Sequence, residues 1–318
     1  MTWGSDMPRK LRWEQVGGLY HVINRGNYRL PVFANVGAAE AFEHTLWEAL
    51  GKYGWRLHGY VLMSNHYHLA LETPQPNLAD GMHWLQSTYA TRFNRFRAER
   101  GHLFQGRYQA LCIEEDGALR RVVDYIHLNP VRAGIIEVAA LANYRRSSLH
   151  RFLSGARPPG LTPDRFLRNC GFTDDKEGWS AYMERLGLLG LDEAEQKRLG
   201  WADFSKGWAI GTSGWKRALA KEFAQKSLVG LARDEAQAIR EAGWQTVLET
   251  ALLDVGRTLA DLTPVLPRAR GHSWRLPLAA RLREAGAPYP WIAAALGFHD
   301  PLSLKVKLFR FHNSNVSM

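Results

Sequence analysis

The sequence predicts an α+β protein: a ferredoxin-like split β-α-β antiparallel sheet, followed by a mainly α-helical carboxy-terminal region with a helix-turn-helix-like segment. Two observations carry this. Through about residue 128, strand-like and helix-like periodicities follow one another in the order β-α-β-β-α-β, with a further helix. Beyond about residue 150 the patterns are almost all helical, after a stretch punctuated by Gly155, Pro158, Pro159, Gly160 and Pro163. Such an arrangement is expected to place helices on one face of the sheet and to leave the other open for a substrate.

Residues 19–27 read as a strand ending in a polar, glycine-containing turn. Phe42, Leu46, Ala49 and Leu50 recur at helical spacing and predict a helix over 37–53. Residues 55–63 and 66–72 form a strand pair around the Ser64-Asn65 turn. After Pro74 and Pro76, a helix over 77–97 takes Asn77 as its cap and aligns Met82, Leu85, Tyr89 and Phe93 on one face. Residues 108–114 read as a fourth strand and 117–128 as a helix stopped by Pro130. Leu119, Val122, Val123 and Ile126 give that helix an apolar stripe to lay on the sheet. Residues 165–260 read as helices with Trp-rich turns such as Lys206–Gly211, and no chemistry attaches to them. The predicted domains are therefore 1–150, 151–260 and 261–318.

Composition narrows the class. At 318 residues with 46% hydrophobic content and 12 Trp, the chain has the means for packed domains and not for disorder. Lys and Arg number 41 against 31 Asp and Glu, a net charge of +10 that favours a polyanionic partner, nucleic acid first. Two cysteines, Cys112 and Cys170, exclude a disulfide framework and a cysteine-based zinc module. Residues 1–12 lack the apolar core of a signal peptide and no apolar run reaches membrane-spanning length, so a cytoplasmic, nucleoid-associated location is expected and no membrane partner.

His66-Tyr67-His68 is the motif with chemistry in it. On a strand the two histidines share one face and Tyr67 takes the other, so two imidazoles aim at one point and form a partial metal site. Hydrogen-bonded or exposed histidines satisfy the same pattern. Tyr125 and Asn129 fall off the apolar stripe of their helix and, four apart, can share an edge. Read alone, Tyr125 is equally an amphipathic residue at the core margin, and Asn129 a helix-terminating residue before proline.

Three ordered blocks carry a family resemblance that bears on these alternatives. Tyr60-Val61-Leu62-Met63-Ser64-Asn65-His66-Tyr67-His68-Leu69, then Leu103-Phe104-Gln105-Gly106-Arg107-Tyr108, then Val123 through Gly134 resemble the HUH single-tyrosine transposases, nearest to the REP-associated branch. Tyr144-Arg145-Arg146-Ser147-Ser148 resembles the end of that domain, so the likeness spans residues 8–150. Ser64 departs from it, since relatives often carry proline in this turn, and Tyr67 is bulky for its position. The resemblance implies that His66 and His68 are metal ligands with catalytic roles, that Tyr125 is the nucleophile that attacks DNA, and that Asn129 completes the metal shell. It implies a metal-dependent single-strand DNA endonuclease and strand transferase acting through a 5′-phosphotyrosine, on hairpin-forming repeat DNA.

Neutral ligands leave phosphate oxygens and water to finish the shell, which points to Mg²⁺ or Mn²⁺, the latter taking imidazole more readily. Cations interleaved with aromatics suit single-stranded DNA, and Arg92, Arg95, Arg97 and Arg107 are candidate contacts. Arg25 and Asn27, in the turn after the first strand, are candidates by position. In the carboxy-terminal segment, helices at 276–285, 291–297 and 301–309 outline a helix-turn-helix whose last helix presents Ser303, Lys305, Lys307 and Arg310 to DNA. One nucleophile per chain suits a homodimer for paired cleavages, and a monomer acting in sequence serves as well. The alternatives are a domesticated, non-catalytic DNA- or RNA-binding regulator and a ferredoxin-like RNA-binding module. Neither gives His66, His68 and Tyr125 a shared role.

Overall fold

A computed structural model describes residues 14–115, 117–225, 233–262 and 274–315. The amino-terminal residues read above for a signal peptide lie outside this set. Contacts divide the chain into two compact units, Met1–Thr212 and Ser213–Met318.

The first unit begins with β1 (Gly18–Arg25), α1 (Val36–Tyr53), β2 (Arg56–Leu62), β3 (His66–Thr73), α2 (Leu78–Arg97), β4 (Gln109–Ile113) and α3 (Gly117–Arg132). Helix α1 starts where the Asn35 side chain accepts a hydrogen bond from the Ala38 N–H at 2.7 Å. It stops at Gly54, whose left-handed backbone closes the last turn. Asn77 precedes α2 but does not cap it with its side chain. Its amide instead accepts from Trp55 Nε1 at 2.7 Å and donates to the Tyr53 carbonyl at 3.0 Å, tying α1 to the helix that follows the hairpin.

The strands lie in the order β2-β3-β1-β4-β5, where β5 is Ala209–Ile210. The first four pair antiparallel, with Ile23 and Val61 flanking His68 and Arg25 opposite His66. Strand β5 runs parallel to β4, so the sheet is mixed and not wholly antiparallel as expected. The Trp-rich stretch read as a turn supplies this strand, which at two residues is too short to show a period.

One face of the sheet carries Tyr67, packed among Phe33, Phe42 and Phe104, and Tyr60, packed on Trp47 of α1. Against the other lies α3, whose buried Leu119, Val122, Val123 and Ile126 form the expected stripe. Gly59 permits the approach: a Cβ there would sit 3.3 Å from Val123. Both faces are therefore covered, and the open face expected from the element order is not found.

Four more helices, α4 (Ser148–Ser154), α5 (Asp164–Cys170), α6 (Lys176–Leu191) and α7 (Glu193–Arg198), pack with this layer. Phe152, Phe166, Trp179, Tyr182, Leu186 and Trp201 join the same apolar core as the strands. The boundary expected near residue 150 thus falls inside a core, and the compact unit ends at Thr212. Later chain also bonds to the outer side of β2. Leu57 N–H donates to the Gly160 carbonyl at 2.7 Å, Leu62 N–H to that of Arg146 at 2.8 Å, and Tyr60 N–H to Ser148 Oγ at 2.8 Å.

The second unit contains α8 (Ser213–Gln225), α9 (Arg233–Asp254), α10 (Arg275–Glu284), α11 (Tyr289–Ala295) and α12 (Pro301–Asn315). Trp244, Leu248, Leu278, Ile292, Leu296 and Leu304 form its own core. The boundary expected at 260 falls between α9 and α10, which share that core. Helices α11 and α12 follow the outline read from sequence and are joined by a turn with Gly297 at φ 68°. Ser303, Lys305 and Lys307 are exposed on α12, whereas the Arg310 side chain lies outside the described residues. Among the described residues, no helix is long and apolar enough to cross a membrane.

Candidate active site

Strand alternation puts His66 and His68 on the α3 face of β3, with ring centroids 5.1 Å apart, while Tyr67 is fully buried on the opposite face. Helix α3 brings Tyr125 over them. Its ring meets His68 edge-on at 5.6 Å between centroids, and it is 6% exposed. Asn129, one turn on, places Nδ2 3.5 Å from His68 Nε2.

Asn129 owes this position to a helix that runs through Pro130 to Arg132 and does not stop before the proline. Proline forfeits one N–H bond, but Ala133 N–H donates to the Asn129 carbonyl at 3.0 Å and Ile135 N–H to that of Pro130 at 2.9 Å, closing the turn beyond it.

Other residues build the site that the sequence did not reveal. His21 on β1 stacks on His68 at 5.1 Å and holds His68 Nδ1 through Nε2 at 3.0 Å. Its own Nδ1 is 2.8 Å from the Phe204 carbonyl. Trp201 and Phe204 pack on the Tyr125 ring, at 5.9 and 5.5 Å between centroids. The Arg132 guanidinium lies 4.7 Å from the Tyr125 centroid and 5.5 Å from that of Trp201, and its Nε donates to Gln196 Oε1 at 3.3 Å. Arg132 was within reach of sequence reasoning, because 125, 129 and 132 fall at i, i+4 and i+7 on one helix edge.

Electrostatics keep the imidazoles neutral. Burial, and then Arg25, pull His66 down to about 4. Burial pulls His68 well below the ordinary histidine range, helped by His21, His66, Arg132 and Arg25. Burial also takes His21 to about 4 and His127 to about 3. Each of these is depressed below 6.5, so the unfolded chain binds the extra proton first as pH falls. Stability should therefore be full above pH 6.5 and decline from there toward pH 4, by at most about 1.4 kcal/mol per pH unit for each such histidine. Urea unfolding at pH 7, 6 and 5 checks this, and a flat midpoint across that window contradicts it.

The donors here are two neutral imidazoles and an amide, a set that fits Mn²⁺ or Mg²⁺ sharing its shell with phosphate and water. Among the described residues, no three His, Cys, Asp or Glu side chains converge into a metal-holding cluster.

The candidate DNA contacts divide. Arg25 is exposed at the end of β1 opposite His66, and Asn27 lies in the adjoining 3-10 turn. Arg95 and Arg107 are exposed, as is Phe96, at 88%. Arg92 is committed elsewhere: its guanidinium makes a paired contact with Glu48 at 2.9 and 3.1 Å and donates to Thr45. Arg97 pairs with Glu99 at 2.9 Å and lies over Phe93, which is buried. Ser303, Lys305 and Lys307 belong to the second unit.

Residues 15–129 match the family model described as IS200-like transposase. Over that segment the chain is similar to the IS200-like transposases. Its match ends at Asn129, so Arg132, Gln196, Trp201 and Phe204 come from chain beyond the matched segment. Two solved structures are similar. One is a REP-associated tyrosine transposase bound to a REP hairpin, 18% identical with a TM-score of 0.39, the match covering 50% of this chain and 90% of that one. The other is described as a transposase from Deinococcus radiodurans R1, 24% identical with a TM-score of 0.27, covering 36% of this chain and 88% of that one. No curated protein matches the chain.

Proposed function

We propose that the chain is a metal-dependent single-strand DNA endonuclease and strand transferase, in which Tyr125 is the nucleophile and hairpin-forming DNA the substrate. The observation that carries this reading is the meeting of Tyr125, His68 and Asn129, with Tyr125 edge-on to His68 and the Asn129 amide 3.5 Å from His68 Nε2. A non-catalytic DNA- or RNA-binding regulator leaves that meeting without purpose.

In the proposed reaction Tyr125 Oη forms a bond to phosphorus as the P–O3′ bond breaks. A 5′-phosphotyrosine and a free 3′-hydroxyl result, and attack by another 3′-hydroxyl restores the phosphodiester and releases Tyr125. His66, His68 and Asn129 would hold the metal, which polarises and positions the scissile phosphate. Arg132, beside the Tyr125 ring, places a cation where charge grows on the phosphoryl oxygens and the attacking oxygen. Trp201 and Phe204, packed on the ring, would fix its angle. Arg25, Asn27, Arg95 and Arg107 would track the single strand, and exposed Phe96 offers a base a stacking surface. Arg92 and Arg97 are weaker contacts, because each would have to give up an acidic partner. Helix α12, with Ser303, Lys305, Lys307 and Arg310, would enter the major groove of the hairpin stem.

The direct test is covalent trapping: wild-type protein with hairpin-containing single-stranded DNA and Mn²⁺ or Mg²⁺ should give an adduct that survives denaturation. No adduct with either metal would sink the reading. A neutral ligand set also predicts weak metal binding until phosphate joins the shell. Calorimetry without DNA should give a dissociation constant on the order of millimolar, tightening at least about tenfold with DNA present. Micromolar Mg²⁺ binding by the free protein would contradict a neutral, phosphate-completed shell.

A further inference from the structure

We propose that His66 and His68 are each locked into the tautomer that offers Nε2 to a metal, by two separate hydrogen-bond relays that end on backbone carbonyls. This rests on the metal reading above and adds what prepares the ligands before any metal arrives.

The first relay starts at Phe204. A carbonyl oxygen can only accept, so the His21 Nδ1 at 2.8 Å carries the hydrogen. A neutral His21 is then an acceptor at Nε2, and the His68 Nδ1 at 3.0 Å must donate to it. Neutral His68 is left with its lone pair on Nε2, the nitrogen that faces the Asn129 amide at 3.5 Å. Every contact in the chain is satisfied by this one direction of protons. The reverse direction sets a lone pair against the Phe204 carbonyl.

The second relay starts at Arg29. Its carbonyl accepts from Asn65 Nδ2 at 3.4 Å, which turns the Asn65 amide so that Oδ1 faces the neighbouring histidine. That oxygen accepts from His66 Nδ1 at 2.7 Å, leaving the lone pair of His66 also on Nε2. Arg29 lies in a turn where Tyr28 and Arg29 both hold left-handed backbone, at φ 50° and φ 60°. Such a conformation is unfavourable for side-chain-bearing residues, and here it aims the carbonyl at Asn65.

His21 is fully buried and His68 3% exposed, so water cannot repair a wrong tautomer at the first relay. An unmade buried hydrogen bond should favour the stated tautomer by roughly tenfold to a hundredfold. Both relays end on a carbonyl rather than a carboxylate. They orient the ligands without adding negative charge beside a phosphate that must bind there. His21 and Asn65 are positioning residues in this scheme, and neither touches the reacting atoms.

The experiment is a long-range ¹H–¹⁵N correlation spectrum of the full chain near neutral pH, without metal or DNA. His66 and His68 should both show a protonated Nδ1 and an unprotonated Nε2. In His21→Leu the His68 signals should shift toward a mixture of tautomers while those of His66 stay put. Mn²⁺ affinity with DNA present, read by electron paramagnetic resonance, should fall about 10- to 100-fold. His21→Gln, whose amide carries a donor and an acceptor spaced much like the two ring nitrogens, should restore both readouts. Asn65→Ala should do to His66 what His21→Leu does to His68, and Asn65→Asp should keep the acceptor and the tautomer.

A wild-type spectrum with Nε2 protonated on either histidine overturns the proposal, whatever the variants do. So does a His21→Leu protein with unchanged His68 signals and unchanged Mn²⁺ affinity. Wild-type protein with the expected tautomers that fails to bind Mn²⁺ even with DNA upholds the relays and overturns the metal reading alone.

Discussion

Tyr125→Phe is expected to abolish the covalent protein–DNA adduct and to cut strand cleavage by on the order of 10³-fold or more, while single-strand binding changes by less than about twofold. The substitution removes one oxygen and keeps the ring that packs against His68, His21, Trp201 and Phe204. Because Tyr125 is 6% exposed, a larger change would confuse loss of chemistry with loss of packing. Thermal unfolding within a few degrees of wild type would confirm that the ring still fills its place. An adduct that persists in Tyr125→Phe removes Tyr125 from the mechanism.

The second large effect concerns where the chain can be cut. Ending it at residue 150, the boundary expected from composition, should give a protein without cooperative unfolding. That cut strips Phe152, Phe166, Trp179, Tyr182, Trp201 and Phe204 from the core of the sheet. At about 1.5–3 kcal/mol for each large apolar side chain, the loss is roughly 9–18 kcal/mol, at least comparable to the whole stability of a typical domain. It also leaves Asp124 buried without Arg185, its partner at 2.8 Å, at a cost of about 3–5 kcal/mol. Ending the chain at Thr212 removes the second core and leaves the first intact. That protein should unfold cooperatively and cleave unpaired DNA near wild-type rates. It should bind hairpin DNA at least about tenfold more weakly, having lost α12. Calorimetric unfolding and gel-shift titration decide both points. A folded 1–150 protein would contradict the shared core, and unchanged hairpin affinity in 1–212 would remove α12 from DNA recognition.

Much of the sheet and of α3 was legible because its signals are local. The periods around Phe42 to Leu50 and Leu119 to Ile126, and the alternation through His66 to His68, each lie within one element. What stayed hidden depends on distant chain. Strand β5 is two residues long and pairs with β4 across nearly a hundred positions, so no periodicity announces it. His21 on its own strand is an unremarked histidine, and its role comes from the Phe204 carbonyl, a backbone group that no residue type encodes. Arg92 read as a phosphate contact because its partner Glu48 sits on another helix. The end of α3 was placed too early for a different reason. The rule that proline ends a helix is right about the lost N–H bond, but bonds to Asn129 and Pro130 carry the turn past it.

The bonds that later chain makes to the outer side of β2, together with β5 lying along β4, bear on how this protein keeps company with itself. A strand at the rim of a sheet is a template on which another molecule can add a strand, and that is a common route to aggregation. Here one rim is occupied by Arg146, Ser148 and Gly160, and the other ends in a stub of two residues. A second copy therefore finds little backbone on which to extend the sheet. Any dimer that serves paired cleavages has to be built from helices and loops. Losing residues 151–212 would bare the β4 rim and part of the β2 rim at once, so the damage would extend from the failing molecule to its neighbours.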